Sequence, residues 1–123
     1  MSNITTLTRD VNETDEPALR KPDSALVVSG DPQFKSWVKD LSFEGKTRTG
    51  FWEASPGCFR DDMDEMYEYC FILEGVVEIA EDSGETKTYG AGDSFIMKPG
   101  FRGTWNTIET VRKFFIAVER GPA

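Results

Sequence analysis

Glycine, proline and aspartate cut this chain into short apolar stretches at regular intervals, and no stretch carries a long helical period. The segments ALVVSG (25–30), FKSWVKD (34–40), KTRTGFWEAS (46–55), YEYCFILEG (67–75), VVEIAED (76–82), TKTYG (86–90), SFIMK (94–98), RGTWNTI (102–108) and TVRKFFIAVER (110–120) are rich in β-branched and aromatic residues. Turn signals SPG, DSGE and KPG separate several of them. Many short strands with turns between them predict an all-β sandwich or barrel. Residues 25–123 make one domain at this length, and the polar residues 1–24, with Pro17 and Pro22, read as an extended arm with weak strand character over Ile4–Val11.

Charge and composition narrow the function classes. A net charge of −8 opposes nucleic acid and anionic membrane surfaces, and no apolar run is long enough for a membrane span. The N-terminal stretch lacks a basic region followed by an apolar one, so a cytoplasmic protein is expected. The two cysteines, Cys58 and Cys70, lack disulfide-framework or metal-knuckle spacing, and Cys70 reads as a core thiol. There is no histidine, which removes Ser-His and Cys-His nucleophiles and every imidazole-ligated metal. Chemistry falls to carboxylates, Lys, Arg, Tyr, Cys and backbone.

The stretch CFRDDMDEMYEYCFILEG carries the most specific pattern. Six residues separate Glu68 from Gly75, and Gly57 precedes them; downstream, Gly92 and Gly100 keep a second spacing. This resembles the two motifs of the cupin superfamily, a double-stranded β-helix or jelly-roll barrel. With three residues before Glu68, the two histidine positions of the first motif fall on Asp62 and Asp64. In the second motif, Lys98 replaces a proline, Gly103 stands at the histidine position and Thr107 at the asparagine position. The stretches SGDPQFKSWVKD, GKTRTGFWEASPG, ILEGVVEI, GDSFIMKPGFRGTW and ETVRKFFI are similar to the branch holding the ureidoglycine aminohydrolase and ethanolamine-utilisation types. The resemblance implies a homodimer. It also implies Asp62, Asp64 and Glu68 at metal-ligand positions, with Mn or Mg as the metal, although a later glutamine ligand has no clear counterpart.

Read physically, positions 62, 64 and 68 share parity, so an unbroken strand would aim all three carboxylates inward, where an all-oxygen cage suits Mg, Ca or Mn. In the competing reading, Asp61, Asp62, Asp64 and Glu65 form a solvated acidic loop and only Glu68 faces the interior. A Glu in an apolar strand needs a partner, for which Lys98, Arg102 and Arg48 are the candidates. Trp52 and Trp105 are expected to wall a pocket or simply pack. Lys98 and Arg102 are candidates to hold an anionic ligand, and Gly103 leaves space where a ligand side chain would stand. The row Tyr67, Tyr69, Phe71 is too apolar for a solvated strand face and predicts a dimer interface.

Three functions remain open. One is a small-molecule-binding cupin with a histidine-free pocket centred on Glu68. The second is a metal-assisted hydrolase or lyase acting on a nitrogen-containing metabolite, with Glu68 as base or metal ligand. The third is a non-catalytic structural dimer.

Overall fold

The computed structural model describes residues 2–8 and 15–120. Among the described residues it has nine strands: β1 (Ala18–Arg20), β2 (Val27–Gly30), β3 (Phe34–Ser42), β4 (Thr47–Ala54), β5 (Gly57–Arg60), β6 (Met66–Glu81), β7 (Thr86–Gly90), β8 (Ser94–Met97) and β9 (Gly103–Glu119). A 3₁₀ turn, Ser24–Leu26, is capped by the Asp23 carboxylate accepting from the Ala25 amide. No helix among the described residues is long and apolar enough to cross a membrane. The all-β expectation holds, and all of the strand pairings are antiparallel.

Two long strands organise the sheet. β6 and β9 pair along nearly their whole length, from Met66↔Glu119 to Glu81↔Gly103. The first half of β6 also holds β8, and its second half holds β7. The second half of β9 holds β4, then β3 and β1, while its first half holds β5 and then β2. The curled sheet closes around one apolar interior, consistent with a cupin jelly roll.

The sequence reading split each long strand in two, at Gly75 and near Glu109. The structure runs both through. Gly75 sits at φ 88 inside a run of register shifts, and a Cβ there would come within 2.1 Å of the Thr110 carbonyl oxygen. The glycine lets β6 bulge without ending. It also reverses the facing parity: Cys70 and Ile72 point inward before the bulge, Val77 and Ile79 after it.

The weak strand expected over Ile4–Val11 is not seen at residues 4–8, and its remainder lies outside the described residues. The arm instead contributes β1, which pairs with β3 through Ala18↔Ser36 and Arg20↔Phe34. Just before it, the Asp15 carbonyl accepts from Trp37 Nε1 at 3.1 Å, and its carboxylate lies 3.1 Å from Lys39 Nζ.

The interior core joins Ala54, Phe59, Met63, Cys70, Ile72, Val77, Ile79, Met97, Trp105 and Val111. A second cluster lies on the opposite face, where Trp37, Phe51 and Leu73 are buried with Phe71 and Phe114 against them. The aromatic row of β6 falls on this outer face: Tyr69 pairs with Ile116 and Ile96, and Tyr67 with Val118.

Candidate functional site

The concave face of β1, β3, β4, β9 and β6 is built in rows set by strand register. One row runs Arg48, Ala117, Glu68; the next Val38, Gly50, Phe115, Cys70; the next Ala18, Ser36, Trp52, Lys113, Ile72. A cavity of about 530 Å³ opens over these rows, lined among others by Phe34, Trp52, Phe59, Asp61, Glu68 and Lys113.

Lys113 is the residue the sequence reading missed. Its side chain is 7% exposed, and its ammonium donates to Glu68 Oε2 at 2.5 Å. The Cys70 thiol donates to the same carboxylate oxygen at 3.2 Å, with Lys113 Nζ 3.7 Å from the sulfur. The ammonium also lies 4.3 Å from the centroid of Trp52 and 4.4 Å from that of Trp105, whose rings meet edge to face. Electron-rich ring faces and a carboxylate replace the water that Lys113 gave up on burial. Burial alone lowers the ammonium's affinity for its proton, but the Glu68 carboxylate bonded to it and the nearby Asp61 more than offset this and hold it above its usual range. Burial pushes the Cys70 thiol up as well, which keeps it protonated and unreactive.

Glu68 therefore faces the interior as expected, but its partner is Lys113 and not Lys98, Arg102 or Arg48. Asp62 and Asp64 do not join it. Both are exposed: Asp62 accepts from Arg60 at 2.7 Å and from the Gly103 amide at 3.2 Å, and Asp64 pairs with Arg102. The parity argument failed for a local reason. Residues 61–63 continue the course of β5, with the Asp61 amide donating to the Gly103 carbonyl and the Met63 amide to the Phe101 carbonyl. Odd positions Phe59, Asp61 and Met63 face inward there, and a bend at residues 64–65 resets the parity before β6. With four residues before Glu68 instead of three, the motif positions become Asp61 and Met63. Nor does Asp61 belong to a solvated loop: it lines the cavity, and burial raises its carboxyl to about 6, against the pull of the Lys113 ammonium.

The other predicted residues scatter. Trp52 lines the cavity; Trp105 is fully buried beneath Lys113, with Nε1 donating to Thr107 Oγ1 at 3.0 Å. Lys98 is exposed and borders a separate groove with Tyr89 and Phe101. Arg102 is spent on Asp64 and on the carbonyls of Met63 and Phe101. Gly103 leaves no space: a Cβ there would lie 2.0 Å from the Ala80 carbonyl oxygen, so this glycine is required by close strand packing.

These groups do not fit a divalent metal. The inward carboxylate of Glu68 is occupied by an ammonium, Asp62 and Asp64 are turned out, and the inward position between them is Met63. Among the described residues no group of three or more His, Cys, Asp or Glu side chains is placed to hold an ion.

Residues 41–115, more than half of the chain, match the family model of the EutQ-like cupin domain. The chain is a EutQ-like cupin. Solved structures of the same fold include a protein of unknown function from Pseudomonas syringae pv. tomato, at 24% identity and a TM-score of 0.74. That match covers 83% of this chain and 43% of the other, so the cupin spans less than half the length of that relative. The EutQ protein of Clostridium difficile is similar at 14% identity and TM-score 0.66, over 89% of this chain and 80% of that one. A putative ethanolamine utilization protein Q from Salmonella typhimurium is similar at 18% identity and TM-score 0.63, over 88% and 99%. No curated protein matches the chain.

Proposed function

We propose that this EutQ-like cupin binds a small organic molecule in a barrel whose resident cation is the Lys113 ammonium and not a metal ion. The observation that carries the reading is the Lys113–Glu68 pair itself, held at 2.5 Å on the floor of a cavity walled by Phe34, Trp52, Phe59, Met66 and Phe115. An apolar concavity with a few convergent polar groups is the usual form of a small-molecule site. Lys113 supplies N–H donors, Glu68 an acceptor and Asp61 a group of either kind. A thermal-shift screen of small polar metabolites, run with and without EDTA, tests this. Hits are expected to survive EDTA and to vanish in Lys113→Met. Hits that require added Mn or Mg would sink the reading.

A second reading is favoured by one observation. Asp61 titrates near 6 inside the cavity, where general acids and bases operate. It supports a hydrolase or lyase in which Asp61 moves the proton and the Lys113–Glu68 pair orients the substrate. The narrower likeness to ureidoglycine aminohydrolase, and a nitrogen-containing substrate, rest on the sequence motif alone. A pH–rate profile with an ascending limb near 6, absent in Asp61→Asn, is the expected signature.

We also propose a homodimer through the outer sheet face, because Tyr67, Ile96 and Val118 stay exposed beside a buried aromatic cluster. Light scattering is expected to show a dimer that Val118→Asp splits into monomers. A monomeric wild type would end this proposal and leave the pocket reading intact.

A further inference from the structure

Among the described residues, Arg60, Arg102, Arg112 and Arg120 each lie within ion-pair distance of a carboxylate. Arg20 and Arg48 do not, in a chain with 22 acidic residues against 14 basic ones; both line the cavity, but Arg20 is exposed, and the half-buried one is Arg48. Its position makes the omission informative. Arg48 lines the cavity, half-buried, in the same row as Glu68 with only Ala117 between them. Glu68 is already taken by Lys113. The Arg48 fork is held lightly, with Nη1 donating to the Gly45 carbonyl at 3.3 Å and Nη2 3.8 Å from the Met66 sulfur. The guanidinium is therefore steered to the cavity and left with donors to spare.

Resting on the pocket reading above, we infer that Arg48 anchors the oxyanion of the ligand. The bound molecule is then a small organic acid, carboxylate or phosphate, with an apolar body. A guanidinium matches either oxyanion with two parallel N–H donors. Beyond Arg48 the neighbouring rows present Val38 and Phe115, then Trp52, an apolar track that leads to the buried ammonium. Trp52 lies four positions along the strand from Arg48, about 13 Å at the usual rise, a span suited to one ring or a short chain bearing the acid. The acid would sit at Arg48, the body along the track, and any polar group at its far end would reach Lys113 or Asp61.

The experiment is a titration of the intact protein with phenylacetate, phenyl phosphate, phenylacetamide and acetate, followed by calorimetry and tryptophan fluorescence. Phenylacetate is expected to bind at least about tenfold more tightly than its amide, since a hydrogen bond between charged groups is lost. Acetate, which has no apolar body, is expected to bind more weakly than phenylacetate. Arg48→Gln is expected to erase the preference for acid over amide, Arg48→Lys to retain part of it, and Arg102→Gln to change nothing. The comparison of phenyl phosphate with phenylacetate tells which oxyanion the site takes. Equal binding of acid and amide to the wild type, or an acid preference that survives Arg48→Gln, would overturn the anchor and leave the pocket reading standing. Failure of every aryl probe at millimolar concentration, with tryptophan emission unmoved, would overturn both.

Discussion

The same chemical pairing occurs in two surroundings around residues 60–70. At the rim, Asp62 meets Arg60 and Asp64 meets Arg102, with the Asp64 and Arg102 side chains 72% and 48% exposed. Inside, Glu68 meets Lys113 at 15% and 7%. Water screens the rim pairs, so each partner tolerates losing the other. Nothing screens the inner pair, so each charge depends on its partner. The difference shows why counting carboxylates near the motif misleads: Asp62 and Asp64 pair with arginines at the rim, while the cavity is lined by Asp61, Glu68 and a lysine far along the chain.

The largest effect should come from breaking the inner pair. Glu68→Gln leaves the buried Lys113 ammonium uncompensated and is expected to cost about 3–5 kcal/mol in chemical denaturation. The double variant Glu68→Leu with Lys113→Met should recover most of that loss, because no charge then remains buried. A double variant as unstable as Glu68→Gln would show that the pair's packing, and not its charge, holds the floor.

Asp61 sharpens the contrast through pH. Its folded carboxyl is raised to about 6 from 3.8, so the folded state keeps its proton longer than the unfolded chain. Its contribution is full below about 4, falls as pH rises to about 6 and is flat above. Asp61→Asn should therefore gain about 2–3 kcal/mol at pH 7.5 and nothing at pH 3.5, at about 1.4 kcal/mol per pKa unit. Denaturation at both pH values checks the sign, and a loss of stability at pH 7.5 would mean that the Lys113 attraction outweighs burial.

The smallest effect belongs to the rim. Asp64→Asn should shift stability by less than about 1 kcal/mol and shrink further in high salt. A change comparable to that of Glu68→Gln would erase the distinction between the two regions.

Local pattern fixed a good deal. Turn residues and β-branched runs foretold the antiparallel all-β fold, and the apolar run Tyr69–Leu73 foretold that Glu68 points inward. Lys113 was hidden by its own strand: in TVRKFFIAVER both alternating sets are apolar, since Phe114 packs on the outer cluster beside Ile116 on the same face, while Val111 joins the interior core and Phe115 and Ala117 face the cavity. Period-2 reading cannot choose a face when both faces are apolar. Only the pairing of Trp52 with Lys113 and of Lys113 with Ile72 places that ammonium over Glu68. The choice of Asp61 over Asp62 was likewise tertiary. It depends on residues 61 and 63 bonding to the Gly103 and Phe101 carbonyls and on the bend at 64–65, and side-chain parity survives only as long as the strand does.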